Sequence, residues 1–348
     1  LVAGIAVNTL GYAHPDWVKA VTEQTGRLVH TSNLYQVKEQ AELAEKIASV
    51  TPEGLGRSLF VNSGAEANEG ALKLAVRHTG RGKVISALNS FHGRTAASLG
   101  ATGQTKYQDS FEPLISGAFD YFDYGDEESV KSVIDKDTAA LLVEPIQGEG
   151  GVMTAPKEFF RAVRDICTDN GTLMVVDEVQ TGIGRTGKWF GIDNYGVIPD
   201  VMTLAKGLGG GVPIGAVVTT DELCKTMVPG SHGTTFGGNP LVCSAGSAVI
   251  DVMKRDGIVN KVADIGTRWI DELKSIESSK ISEVRGHGLI IGIEMESPET
   301  AVAVREHCFD NGVLVNVCHG NVVRLIPPLI LKDTEKDGFT SLFAEIVG

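Results

Sequence analysis

Two charged side chains stand where short apolar runs give out. Asp177 closes the run Leu173-Met-Val-Val-Asp177 and is followed by Glu178-Val-Gln180. Lys206 follows Val201-Met-Thr-Leu-Ala205 and leads into Gly207-Leu-Gly-Gly-Gly211. An acid at a strand end, taken alone, is as well explained by a loop or a helix cap. A lysine between an apolar strand and a glycine run is harder to place on the surface. Such a lysine loses water from its ammonium, which lowers its pKa and leaves a neutral, nucleophilic amine.

An acid and a lysine on neighbouring strand ends suit pyridoxal phosphate (PLP) chemistry. The lysine amine condenses with the cofactor aldehyde and moves the substrate proton, while the carboxylate keeps the pyridine nitrogen protonated. The cofactor's phosphate needs a cradle, and Asn62-Ser63-Gly64-Ala65 offers one at a strand-to-helix junction. Free amide N–H groups and the helix dipole favour an anion there, although a plain helix start accounts for the same residues equally well.

Two other motifs fail on context. Gly182-Ile-Gly-Arg-Thr-Gly187 fits a dinucleotide fingerprint, and with Lys188 it nearly fits a Walker A loop. The first requires a helix to follow, yet the continuation Lys188-Trp-Phe-Gly191 is aromatic and glycine-broken. The second requires Ser or Thr after the lysine, and Trp189 stands there. A glycine-rich loop shaping a neighbouring site is the better explanation.

The elements that must hold these residues are legible as alternating short apolar runs and helical segments, the pattern of an α/β protein on a mainly parallel sheet. Strands are expected at 58–62, 83–88, 139–144, 173–178, 201–204 and 215–219, and helices at 65–77 and 157–170. Glycines cluster at 148–151, 182–187 and 207–211, after strands, where an open α/β sheet holds its ligand. Beyond residue 240 the expectation is helices at 244–255 and 265–275 with short strands at 290–295 and 322–325. The organisation expected is an N-terminal segment (1–25), a large domain (26–243) and a smaller α/β C-terminal domain (244–348).

Composition narrows the classes. The chain has 348 residues, 42% of them hydrophobic, and a formal charge of −13 with the acids scattered, which disfavours nucleic acid and anionic membranes as partners. Five cysteines with no C-x-x-C pair disfavour a disulfide framework or a structural zinc site and point to a reducing cytoplasm. No apolar stretch is long enough to span a membrane, and the first residues lack the pattern of a signal peptide.

Six motifs carry a family resemblance. Asn62-Ser-Gly-Ala-Glu-Ala-Asn-Glu69, Phe91-His-Gly-Arg-Thr95, Glu144-Pro-Ile-Gln-Gly-Glu-Gly-Gly151, Asp177-Glu-Val-Gln180, Ala205-Lys-Gly207 and His232-Gly-Thr-Thr-Phe-Gly-Gly-Asn-Pro240 resemble, in order, those of the class III aminotransferases. Within that class the set is most similar to the acetylornithine-type enzymes. The resemblance implies the PLP-dependent transferase type I fold and an obligate homodimer with active sites at the subunit interface. It makes Lys206 and Asp177 catalytic, and Ser63, Gly64 and Ala65 phosphate ligands. Ala65 departs from the threonine common in the family and would lack that hydroxyl. Phe91 would stack on the cofactor ring, Val179 and Gln180 would lie against the ring and its phenolic oxygen, and Thr235 would reach the neighbouring subunit's phosphate.

For substrate, the resemblance implies Thr234 as a contact, Arg94 on a carboxylate of the amino donor and Arg324 on the α-carboxylate of glutamate or 2-oxoglutarate. Glu144 would pair with Arg324 when the donor offers no carboxylate there. No metal is implied. The reaction implied is ping-pong transfer from N-acetylornithine to 2-oxoglutarate. The rivals are succinylornithine, ornithine, 4-aminobutyrate or carrier-linked lysine-pathway donors, then a PLP aminomutase, then a binding protein without activity. The opening Leu1-Val-Ala-Gly-Ile-Ala-Val resembles a segment that the family precedes with further residues, so a start that is either truncated or divergent is expected.

Overall fold

In the computed structural model, residues 1–115 and 117–348 are described. The strands run β1 (Arg57–Val61), β2 (Lys83–Ala87), β3 (Phe119–Phe122), β4 (Thr138–Val143), a short pair β5 (Ile146–Gln147) and β6 (Met153–Thr154), then β7 (Leu173–Asp177), β8 (Val201–Leu204) and β9 (Gly215–Thr219). Seven of them form one sheet in the order β1-β9-β8-β7-β4-β2-β3. The pairs from β8 through β7, β4 and β2 to β3 are parallel, whereas β9 runs antiparallel to both β8 and β1. Every residue of β4, β7 and β8 is buried, as expected of a parallel sheet covered on both faces.

The expected strands and helices fall where they were anticipated, most with ends shifted by a residue or two and two helices with earlier starts. The helix Gly64–Thr79 starts on Ser63, whose side chain accepts from the Glu66 N–H, and stops at Gly80 in the left-handed region. The helix Pro240–Arg255 begins four residues earlier than expected. Asn239 caps it and Pro240, which has no N–H to lose, takes the first position. The helix Ile258–Lys274 also begins earlier, directly after the left-handed Gly257.

A second sheet joins β10 (Ile281–His287), β11 (Ile290–Met295), β12 (Asn316–Cys318) and β13 (Val322–Leu325) in the order β10-β11-β13-β12, antiparallel throughout. The sequence pattern placed β11 and β13 but gave no sign of β10, β12 or the antiparallel order. The N-terminal residues up to Trp17 tie both sheets together. The Ile326 and Leu329 N–H groups donate to Leu1 and Thr9 carbonyls, while the Thr9 hydroxyl and Trp17 Nε1 donate to Gly207 and Gly209 carbonyls at 2.9 and 3.1 Å. Among the described residues no helix is long and apolar enough to cross a membrane and no cluster of metal-ligating side chains occurs.

Candidate active site

The register of β7 against β8 pairs Asp177 with Thr203. Lys206 therefore emerges beside Asp177 at the carboxyl edge of the sheet, where the strands open into a cavity of about 520 Å³. That size lies within the ~300–1,000 Å³ usual for small-molecule sites. Lys206 adopts φ 36°, in the left-handed region that a lysine rarely enters, the kind of local strain that gathers at working sites. Burial pushes its pKa down, so the amine loses its proton more readily than a surface lysine.

Asp177 is fixed from three sides. Its Oδ2 accepts from Asn68 Nδ2 and His92 Nδ1, each at 2.8 Å, and its Oδ1 accepts from the Val179 N–H at 3.0 Å. Asn68 is oriented in turn by the Thr203 hydroxyl, which donates to its Oδ1 at 2.7 Å.

Across the cavity lies the N-terminus of the helix Gly64–Thr79, with Asn62, Ser63, Gly64 and Ala65 on the lining. The first amides of a helix have no intrahelical acceptor. A Cβ on Gly64 would come within 2.8 Å of Val179 Cγ1, so only glycine lets this helix end approach the β7 loop so closely. Phe91, Val179 and Gln180 complete the ring of residues around the opening. Arg94 also lines it, exposed, with its guanidinium 5.1 Å from the Tyr107 ring centre and 6.0 Å from that of Phe91.

One expectation is overturned. Glu144 does not pair with Arg324. Its carboxylate accepts from the Phe91 and Gly148 N–H groups at 3.1 and 3.3 Å, and burial raises its pKa to about 7. Arg324 pairs instead with Glu149, five residues further along the same motif, at 2.6 Å. It also donates to the Gly148 carbonyl at 2.9 Å and to Gln180 Oε1 at 3.1 Å. Burial alone would raise the Glu149 pKa, but the Arg324 guanidinium overrides it and holds the carboxyl below its usual range. The backbone gives the reason: the Phe91 and Gly148 N–H groups take the Glu144 carboxylate, and Glu149 is the acid of the motif left to meet Arg324.

Of the residues anticipated from sequence, Ser63, Gly64, Ala65, Phe91, Arg94, Glu144, Asp177, Val179, Gln180 and Lys206 meet around the cavity. Arg324 lies behind Gln180. Thr234 and Thr235 are not among the lining residues. The Thr234 hydroxyl accepts from Asn62 Nδ2 at 2.9 Å, and Thr235 is exposed. Sequence reasoning missed Asn68, His92 and Glu149, although each sits inside a quoted motif. It also missed Val7 and the run 212–214, whose only signal is an apolar stretch after the glycines.

The family model for aminotransferase class-III matches residues 1–347. The chain belongs to the class-III aminotransferases. This aminotransferase is 44% identical to the acetylornithine aminotransferase of Methanocaldococcus jannaschii over 99% of this chain and 87% of that protein. It is 45% identical to that of Caldanaerobacter subterraneus subsp. tengcongensis, over 99% and 89%. Among solved structures, the ornithine aminotransferase of Toxoplasma gondii superposes with a TM-score of 0.95 at 31% identity, covering 99% of this chain and 85% of that one. The acetylornithine aminotransferase of Elizabethkingia anophelis superposes with 0.87 at 30% identity, covering 99% and 88%.

Members of the class depend on pyridoxal phosphate, and the cavity of this aminotransferase fits that group. A buried amine, a clamped carboxylate and an anion-ready helix end face one space, each within the chemistry one part of the cofactor demands.

Proposed function

We propose that this aminotransferase moves the δ-amino group of N-acetylornithine to 2-oxoglutarate, giving N-acetylglutamate 5-semialdehyde and glutamate. The observation that carries the substrate is the Arg324–Glu149 pair behind the cavity. An ω-amine donor and an α-keto acid acceptor must use one pocket in turn. A cation for the acceptor's carboxylate is costly to bury when the donor brings none. Glu149 occupies Arg324 in that half of the cycle and yields it to 2-oxoglutarate in the other. The naming of relatives at 42–45% identity supports the same substrate.

When bound, pyridoxal phosphate supplies an aldehyde that takes up the amino group and a ring that draws electrons from the reacting carbon. Lys206 would hold the cofactor's aldehyde end and move the proton at the substrate's reacting carbon, work for which its lowered pKa suits it. Asp177, kept in line by Asn68 and His92, would keep the ring nitrogen protonated. Phe91, Val179 and Gln180 would hold the ring, and the Ser63 hydroxyl with the Gly64 and Ala65 amides would take the phosphate. Arg94 would take the donor's carboxylate, since a planar fork suits bidentate pairing, and Thr234, off the lining but bonded to Asn62 at 2.9 Å, would contact the donor.

We also read the enzyme as a cytoplasmic homodimer, with Thr235 completing the neighbour's phosphate site. Thr235 and Phe236 sit on an exposed loop, with Phe236 62% exposed and its ring 5.5 Å from that of His30. Asn33 binds the same loop, and its neighbours Leu34 and Tyr35 are exposed too. An apolar patch of this kind marks an interaction surface. The five cysteines are free, in keeping with a reducing compartment.

The test is an absorbance spectrum of the cofactor-loaded protein through successive additions. N-acetylornithine should bleach the band of the pyridoxal form and 2-oxoglutarate should restore it. A band that ignores N-acetylornithine but answers to ornithine, succinylornithine or 4-aminobutyrate keeps the class and overturns the substrate.

A further inference from the structure

The loop that carries Glu149 is held at its far end by a side chain the sequence reading passed over. Arg285 stands in the middle of β10 with only 8% of its surface exposed. Its Nε and Nη2 both donate to the Gly151 carbonyl, at 3.1 and 2.8 Å. Its Nη1 is held by two carboxylates, Glu283 at 2.7 Å and Glu294 at 2.5 Å. Glu283 and Glu294 face each other across β10 and β11. Two like charges so placed repel, and Arg285 is the cation between them. The arrangement therefore fixes the guanidinium and points its remaining N–H groups at the loop.

The near end of the loop is held separately. The Gly148 N–H donates to Glu144, and the Gly148 carbonyl accepts from Arg324. Between these two fixed points only Glu149 and Gly150 are left, and Glu149 is the residue that meets Arg324. The Glu149 side chain is 22% exposed, so it has room to leave. Arg324 does not depend on it for its own place, since Gly148, Gln180 and Asn316 also accept from it.

We propose that Arg285 is a positioning residue that sets how firmly Glu149 occupies Arg324, and so how readily the enzyme takes a substrate carboxylate there. The inference rests on the Arg324 and Glu149 roles assigned above. Glu149 and the incoming carboxylate compete for one guanidinium, so the affinity measured for the carboxylate is reduced by the fraction of molecules in which Glu149 is seated. Anchoring Gly151 removes backbone freedom that Glu149 would otherwise surrender on pairing. Releasing the anchor favours the unpaired state and makes Arg324 more available.

The experiment uses the cofactor-loaded enzyme and two variants. Arg285→Met removes the anchor. Arg285→Met/Glu294→Gln removes it together with the repulsion that Arg285 neutralises, which protects the fold. Glutarate, an inert dicarboxylate, is titrated by calorimetry, and the half-reactions with glutamate and with an accepted ω-amine are followed by absorbance. Glutarate should bind about fivefold tighter to both variants, in line with ordinary coupling energies. The half-saturating glutamate concentration should fall likewise, and that of the ω-amine should move less than about twofold. Parallel changes for both donors, or unchanged glutarate binding in the double variant, would overturn the proposal. Binding of glutarate to the unmodified enzyme that depends on Arg324, together with refusal of N-acetylornithine, would sink only the donor assignment and leave this inference standing.

Discussion

At Lys206 an unusual backbone angle, a desolvated amine and a run of glycines coincide. Lys206→Ala should reduce turnover on the order of 10³-fold or more, the scale on which a lost acid–base group is felt. Circular dichroism and thermal unfolding should show the fold intact, because Lys206 lines the cavity rather than the packed core. Retention of near-normal turnover would remove Lys206 from the chemistry. Glu149 makes the complementary case. Glu149→Gln leaves Arg324 its three neutral acceptors but no counter-charge. The expected outcome is a split, with 2-oxoglutarate saturating at lower concentration and the N-acetylornithine half-reaction slowed, each by about tenfold, the usual size of a coupling between ligands at one charge. Equal losses in both halves would mean that Glu149 only supports the loop.

At the scale of elements, the turn after β7 depends on a carboxyl to which the sequence motif gave no role. Glu178 Oε2 accepts from the Thr181 hydroxyl at 2.5 Å and the Gly191 N–H at 2.8 Å, and its Oε1 accepts from the Ile192 N–H at 2.8 Å. Burial raises its pKa from 4.5 to about 7. The folded protein thus keeps a proton that the unfolded chain sheds, and the linked stability is whole below the unfolded value and drains away as pH rises through about 7. Glu178→Gln should lower stability at pH 5 and flatten the decline between pH 5 and 8, as read from urea midpoints without cofactor. A slope identical to that of the unmodified protein would remove Glu178 as its source. What could be read from sequence follows the same physics. Buried strands β4, β7 and β8 are continuous apolar runs and were legible, as were the acid and the lysine that end two of them. Strand β3 (Phe-Asp-Tyr-Phe) is a short, half-exposed edge, and β10 carries charge at Glu283 and Arg285, so neither presents a period. The choice of Glu149 over Glu144 was illegible for a different reason. Both are acids in one motif, and the tertiary contact that sorts them, the Phe91 N–H on the Glu144 carboxylate, joins residues 53 apart in sequence.

Across the whole molecule, the seven-stranded sheet supplies the lysine and the acid, the antiparallel sheet supplies Arg324 and Arg285, and the segment before residue 15 is bonded to both. Thr235, by contrast, is exposed and away from the lining of its own chain. If Thr235 serves the site of a second copy, subunits with different defects can repair each other. Lys206→Ala chains lack the amine but keep Thr235, and Thr235→Ala chains the reverse. Mixed at random and assayed at limiting cofactor, where Thr235→Ala alone should hold pyridoxal phosphate about tenfold less well for want of one charge-assisted hydrogen bond, half of the dimers contain one chain of each kind. In each of these, the site with Lys206 receives the intact Thr235 from the other chain. Activity should then recover to about a quarter of the normal value, as the symmetry of a two-fold interface requires. A threonine acting within its own chain gives no intact site in any mixture, and activity would stay at the average of the two variants.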